Sequence, residues 1–118
     1  MDKVLEGLVD VGYPLLVLRK DDMDTGAMRN MWDVVRARMK RPGAFVIGTV
    51  KDGKPVIMAA GTDEAVAAGF NAGAIIKEIS KHIQGGGGGK PQMAQAGGKN
   101  PDGLDAALDA ARELLAAK

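Results

Sequence analysis

The sequence predicts a single α/β domain: a mixed β-sheet with flanking helices. Three observations lead there. An unbroken apolar run after Pro14, Leu-Leu-Val-Leu, suits a strand buried on both faces. A long stretch of helical periodicity follows, and then two apolar runs joined by Asp52-Gly53. Strand, helix and strand in that order imply a right-handed parallel crossover, and the Asp-Gly turn adds an antiparallel neighbour. At 118 residues the chain is long enough to bury one core without staples.

Composition narrows the chemistry. Apolar residues make up 46% and charged residues 26%, ordinary for a globular protein. The net charge is only +1, so any surface for a polyanion has to come from local clustering. There is no cysteine and one histidine, His82, which excludes disulfides, thiolate zinc sites, cysteine nucleophiles and a multi-histidine metal site within one chain. Trp32, Tyr13, Phe45 and Phe70 are the full set of aromatics, too few for extended base stacking. No apolar run approaches the ~20 residues that cross a bilayer. The start carries acids within its apolar part and lacks a signal-peptide layout, so no membrane association and a cytoplasmic location are expected.

In chain order, residues 3–9 place Val4, Leu5, Leu8 and Val9 on one helical face, with Gly7 and Gly12 limiting the element to a turn or two. Residues 1–12 read as a remnant or linker, and 13–118 as the domain. After the first buried strand, residues 21–25 supply turn residues and helix N-caps. From 25 to 41, Met28, Met31, Trp32, Val35 and Met39 form one stripe, and Asp33 is within pairing distance of both Arg29 and Arg36. The stripe reads as core and the basic end of the helix as a solvated face. Residues 62–69 suit a short helical turn ending at Gly69. Asn71 can cap a helix that buries Ile75, Ile76, Ile79 and Ile83 and carries His82 on its surface. Residues 92–96 read as a short strand. Asp102 then caps a last helix with Leu104, Leu108, Ala111 and Leu115 inward.

The stretch between those last two helices is the unusual one. Five consecutive glycines, Gly85 to Gly89, and a second pair, Gly97 and Gly98, are costly to order. Each gives up roughly 0.5 to 1 kcal/mol relative to alanine. The run is therefore either an unordered spacer or a loop whose bare backbone has a task. A spacer normally separates two folding units and is rich in serine. Here no serine occurs in the stretch, one short helix follows, and Lys90, Gln92, Gln95, Lys99 and Asn100 interleave the glycines. These are donors suited to phosphate, ribose and base edges, and uncovered N–H groups between lysines suggest an anion-binding concavity.

Catalytic constellations fail on inventory. There is no Cys-His pair, no H-E-x-x-H and no G-x-S-x-G, and Ser80, the one serine, lies within a helical stretch. Lys90 after Gly89 gives a superficial phosphate loop, but no Ser or Thr follows for magnesium and Pro91 blocks the helix that such a loop needs. The acidic pairs Asp21-Asp22 and Asp63-Glu64 fall where helix caps do. Binding is the activity that remains, with no cofactor and no metal expected.

The run G-G-G-G-G-K-P-Q-M-A-Q-A-G-G-K follows an isoleucine-rich helix opening N-A-G and precedes L-D-A-A-L-D-A-A-R-E-L-L. In that setting it resembles the C-terminal domain of bacterial alanyl-tRNA synthetases, a member of the DHHA1 group. The resemblance runs from about Tyr13 to the end, with D-M-D-T-G-A-M-R-N-M-W-D-V-V-R-A-R-M and G-T-V-K-D-G-K-P-V-I-M-A-A fitting the same domain in order. The same group occurs in RecJ-like phosphoesterases, whose motif typically carries a histidine followed by M-A-A-G. Lys90 near the histidine's place and M-A-Q-A-G-G here fit the synthetase version better.

The resemblance implies a mixed-sheet α/β domain that is not an enzyme by itself. It implies docking of the outer corner of tRNA, where the D and T loops meet, in support of aminoacylation and editing carried out by other domains. Its partners would be tRNA, most naturally tRNA-Ala, the remaining synthetase domains, and a second copy in the full-length protein. Gly86, Gly87, Gly88, Gly89, Gly97 and Gly98 would admit ribose and phosphate close to the main chain. Lys90 and Lys99 would neutralise phosphates, helped by Lys40 or Arg41, and Gln92, Gln95 and Asn100 would bond 2′-hydroxyls or base edges. Two other readings use the same residues: an oligomerisation or interdomain module, and the substrate-binding lobe of a DHH-type phosphoesterase.

Overall fold

The computed structural model describes residues 8–10, 14–39 and 43–116. Leu8–Asp10 (β1) runs antiparallel to Pro14–Arg19 (β2). The helical reading of residues 3–9 is therefore corrected over its described part, where the backbone pairs as a strand with β2; residues 3–7 lie outside the described residues. Leu16 and Val17 of β2 point to opposite faces and are both buried, as a two-sided strand requires.

Thr25–Met39 (α1) carries the chain over one face to Ala44–Lys51 (β3), which lies parallel to β2 with Leu16 opposite Phe45. Asp24 caps the helix, its carboxylate accepting the Ala27 N–H at 2.7 Å. Met28, Trp32 and Val35 are buried as the stripe predicts, with the Trp32 and Phe45 rings 5.0 Å apart. Residues 40–42 lie outside the described residues, and Lys40 and Arg41 with them.

Lys54–Gly61 (β4) pairs antiparallel with β3 through Asp52 (φ 54°) and Gly53 (φ 76°), the two left-handed residues that a tight hairpin needs. Asp63–Ala67 (α2) is capped by Thr62, and Ala72–Ile79 (α3) by Asn71, whose Oδ1 accepts the Ala74 N–H at 3.0 Å. A 3₁₀ turn, Ser80–Ile83, prolongs α3, and exposed His82 sits on it; Gln84 (φ 53°) then reverses the chain.

The glycine run forms neither a spacer nor a loop. Gly86–Lys90 (β5) is a strand, paired antiparallel with Met93–Gly97 (β6) across the turn at Pro91 and Gln92. Glycine's low strand propensity is overridden by the ladder with β6 and by packing against α3. A second 3₁₀ turn, Pro101–Gly103, leads into Leu104–Ala116 (α4). Asp102 lies inside that turn and does not cap the helix, because the turn begins one residue earlier, at Pro101, with Asn100 in the capping position.

The sheet has six strands in the order β1-β2-β3-β4-β6-β5 and is mixed, as predicted. Helix α1 covers one face with Leu16, Phe45, Ile47 and Met58 beneath it. Helices α2, α3 and α4 cover the other over Val46, Ile57, Ala59, Ala94 and Ala96. β5 closes the sheet as a fully exposed edge. No described helix is long and apolar enough to cross a membrane.

Candidate nucleic-acid interface

The ribbon of β5 and β6 extends the sheet away from its thickest core. The register pairs Gly86 with Gly97, Gly88 with Gln95 and Lys90 with Met93, and β6 pairs Gly97 with Val56 and Gln95 with Met58. Gly86, Gly88, Lys90, Met93, Gln95 and Gly97 thus share the α1 side of the sheet, while Gly87, Gly89, Ala94 and Ala96 share the α3 side.

Main-chain donors on the ribbon are mostly spent. Gly98 N–H bonds Pro55 C=O at 3.0 Å and Gly61 N–H bonds Gln92 C=O at 2.9 Å, so the hydrogen-bonded pairs of β4 with β6 fall on Ala94 and Ala96. Residues 93, 95 and 97 then turn their groups to Lys90, Gly88 and Gly86. Gly87 and Gly89 alone of the strand hold N–H and C=O toward the free edge. At the other end of the ribbon, Gly85 N–H bonds Ser80 C=O, and Lys99 and Asn100 N–H both bond Ile83 C=O. The expected backbone cradle is therefore confined to two residues, and elsewhere the glycines act through shape.

That shape alternates. A Cβ at Gly87 would overlap the Gln95 carbonyl oxygen and lie 2.7 Å from the Ala96 Cβ, and one at Gly89 would lie 2.5 Å from the Met93 carbonyl oxygen. At Gly86 and Gly88 a Cβ would meet nothing within 4 Å. Close approach to β6 accounts for one set of glycines, and the fold places no steric demand on the other.

Three open concavities border the ribbon. One of about 600 Å³ lies at its Gly86–Gly97 end and includes Lys54, Gln84 and Lys99. One of about 430 Å³ lies on the α1 side and includes Arg29, Lys90, Met93 and Gln95. One of about 400 Å³ lies between the free edge and α3 and includes Asn71, Gly73 and Lys77. Among the described residues no carboxylate lines any of them. Arg29, Lys54, Lys77, Lys90 and Lys99 are exposed and none pairs with an acid among the described residues, whereas Arg19, Arg36, Lys81 and Arg112 each do. Asp33 pairs with Arg36 at 3.0 Å and not with Arg29, which faces the ribbon instead.

Of the residues singled out in the sequence, Gly86, Gly87, Gly88, Gly89, Lys90, Gln95, Gly97, Gly98 and Lys99 gather on or beside the ribbon. Gln92 is exposed in the hairpin turn, and Asn100 is half-buried at the start of the 3₁₀ turn before α4. Arg29, Lys54 and Lys77 join the surface from α1, the β3–β4 hairpin and α3, far from the glycine motif in sequence; spacing alone gave no signal for them.

Residues 12–117 match the family model described as the DHHA1 domain. This chain belongs to the DHHA1 domain family. Among curated relatives of this DHHA1 domain, an alanine–tRNA ligase of Myxococcus xanthus is 43% identical over 113 residues, covering 95% of this chain and 12% of that protein. Alanine–tRNA ligase 1 of Lachnoclostridium phytofermentans is 39% identical over 113 residues, 95% of this chain and 13% of that one. The domain thus spans about one eighth of the length of these relatives. The crystal structure of the C-Ala domain from Aquifex aeolicus alanyl-tRNA synthetase matches with a TM-score of 0.80 at 29% identity, covering 92% of this chain and 97% of that one.

Proposed function

We propose that this DHHA1 domain is the C-terminal accessory part of an alanine–tRNA ligase acting in the cytoplasm, and that it binds the outer corner of tRNA. Residues 13–118 form the binding unit, β1 joins its sheet at one edge, and the stretch before β1 links it to the domains that carry aminoacylation and editing. The observation that carries the reading is a glycine-rich two-stranded ribbon bordered, among the described residues, by unpaired cations and by concavities that no carboxylate lines. Lys90 and Lys99 neutralise phosphates, Gln95 on the ribbon and Gln92 and Asn100 at its margins bond ribose hydroxyls, and the glycines set the distance of closest approach. Similarity to alanine–tRNA ligases supports tRNA-Ala as the RNA; a second copy in the full-length protein belongs to the same proposal.

The test compares tRNA with a same-length hairpin lacking the contact between D and T loops, by filter binding, using wild type and the double variant Lys90→Ala/Lys99→Ala. Tighter binding of tRNA, lost in the double variant, is the expected result. Equal affinity for both RNAs counts against corner recognition. One observation favours a second reading: the free edge of β5 can pair with another strand, making the ribbon an interface between copies. Equilibrium sedimentation without RNA separates the two, since a salt-insensitive dimer supports the interface.

A further inference from the structure

The ribbon offers RNA two approaches, and they differ in chemistry. On the free edge, the N–H groups of Gly87 and Gly89 are accompanied by their own carbonyls, the Gly89 oxygen stands 3.0 Å from where a Cβ on Gly73 would lie, and among the described residues Lys77 is the only cation lining the groove. Asn71 is occupied in capping α3. Outward carbonyls repel phosphate as much as the N–H groups attract it, and α3 restricts access.

The α1-side face is different. Gly86 and Gly88 point their missing side chains into open space there, so no feature of the fold requires them to be glycine. The β5 glycines leave a bare strip beside the Met93 and Gln95 side chains of β6, and a strip kept bare at a cost in strand stability fits contact with a broad ligand surface. Its two ends carry like charges. Arg29 and Lys90 border the same concavity at one end, and Lys54 and Lys99 the same concavity at the other. Two unpaired cations side by side repel one another, and an anion between them relieves that cost. Four residue steps of extended chain separate the ends by about 13 Å, too far for one phosphate to serve both.

We propose that RNA lies across the α1-side face of the ribbon, with Arg29 completing one phosphate-binding pair with Lys90 and Lys54 completing a second with Lys99. This rests on the RNA-binding reading above and adds to it the face used and two contact residues outside the glycine motif. The pairs act as end stops, and Gly86, Gly88 and Gly97 form the floor between them. Four phosphate contacts predict a slope of log K against log salt of about −3 to −4.

Filter binding of tRNA over a salt series tests it, with wild type, Arg29→Gln, Lys54→Gln, Lys77→Gln and Lys90→Gln. Circular dichroism melts confirm that each variant is folded. Arg29→Gln and Lys54→Gln should each weaken binding by about three- to tenfold and flatten the slope by roughly 0.7 to 0.9, as Lys90→Gln does, while Lys77→Gln, at the free edge, has the smallest effect of the four. If Lys90→Gln weakens binding and Arg29→Gln and Lys54→Gln do not, the two added contacts are wrong and the RNA-binding reading stands. If Lys77→Gln is the damaging substitution, RNA lies along the free edge and the face is wrong. Absence of salt-dependent tRNA binding by wild type overturns the underlying reading and this one together.

Discussion

Adjacent glycines in β5 carry opposite expectations. At Gly87 a methyl group runs into the Gln95 carbonyl and Ala96, and the backbone of β6 cannot move aside without breaking the ladder. Gly87→Ala should therefore cost about 1–3 kcal/mol, the range for overpacking, read as a lowered urea midpoint. At Gly88 there is open space and extended backbone, which a β-branched residue favours. Gly88→Val should leave stability equal or raise it by about 0.5–1 kcal/mol, while weakening tRNA binding because the floor is no longer bare. Intact binding by Gly88→Val would show that the bare face has no role. Thr49 is another position where one atom decides. Buried in β3, its Oγ1 accepts the Met23 N–H at 3.1 Å and so ties the loop before α1 to the sheet. Thr49→Val leaves that N–H unsatisfied and should cost about 1–3 kcal/mol in the same melt.

Among the elements, β2, β3 and α4 are joined through Arg19. Its guanidinium meets Asp21 at 2.9 Å and Asp105 at 3.0 Å, and Asp21 also accepts the Val50 N–H at 3.2 Å. The Arg19 hydrogen bond, aided by the Val50 N–H, holds the Asp21 carboxyl below its usual value of 3.8. The folded pKa is the lower one, so the contribution is complete well above pH 3.8 and is lost as pH falls through the folded value, when the unfolded chain has already taken up its proton. Melting temperature followed from pH 6 down to 2 should show a smaller acid-side decline for Asp21→Asn than for wild type; parallel curves would exclude the linkage.

The elements legible in the sequence were those whose burial follows a simple period. The two-sided strand at Leu16 and Val17, the stripe of α1, the Asp52-Gly53 hairpin and the Asn71 cap all matched expectation, because local pattern and tertiary packing agree there. The β5 strand was illegible since its partner supplies the order that glycine lacks. β1 was misread because three paired residues are too few to display alternation against a helical pattern. Arg29 was hidden by Asp33, which stands at helical spacing from it but pairs with Arg36.

Over the whole molecule, a net charge of +1 conceals a separation. Among the described residues, Arg29, Lys54, Lys77, Lys90 and Lys99 border β5 and β6 without an acid partner, whereas α4, with exposed Asp105, Asp109 and Glu113, packs against β2, β3 and α3. Three strand spacings lie between β3 and β5, roughly 14 Å at ~4.8 Å each. The screening length is about 8 Å at 0.15 M salt and about 30 Å at 0.01 M. The acids of α4 are therefore more than one screening length from RNA on the ribbon in physiological salt, and within one at low salt. Among the described residues Asp109 pairs with Arg112 alone, on the surface at 2.6 Å, so neutralising it costs little stability. Asp109→Asn/Glu113→Gln should then bind tRNA within about twofold of wild type at 0.15 M salt and several-fold more tightly at 0.01 M. A gain of equal size at both salt concentrations would place RNA near α4, against the ribbon as its docking surface.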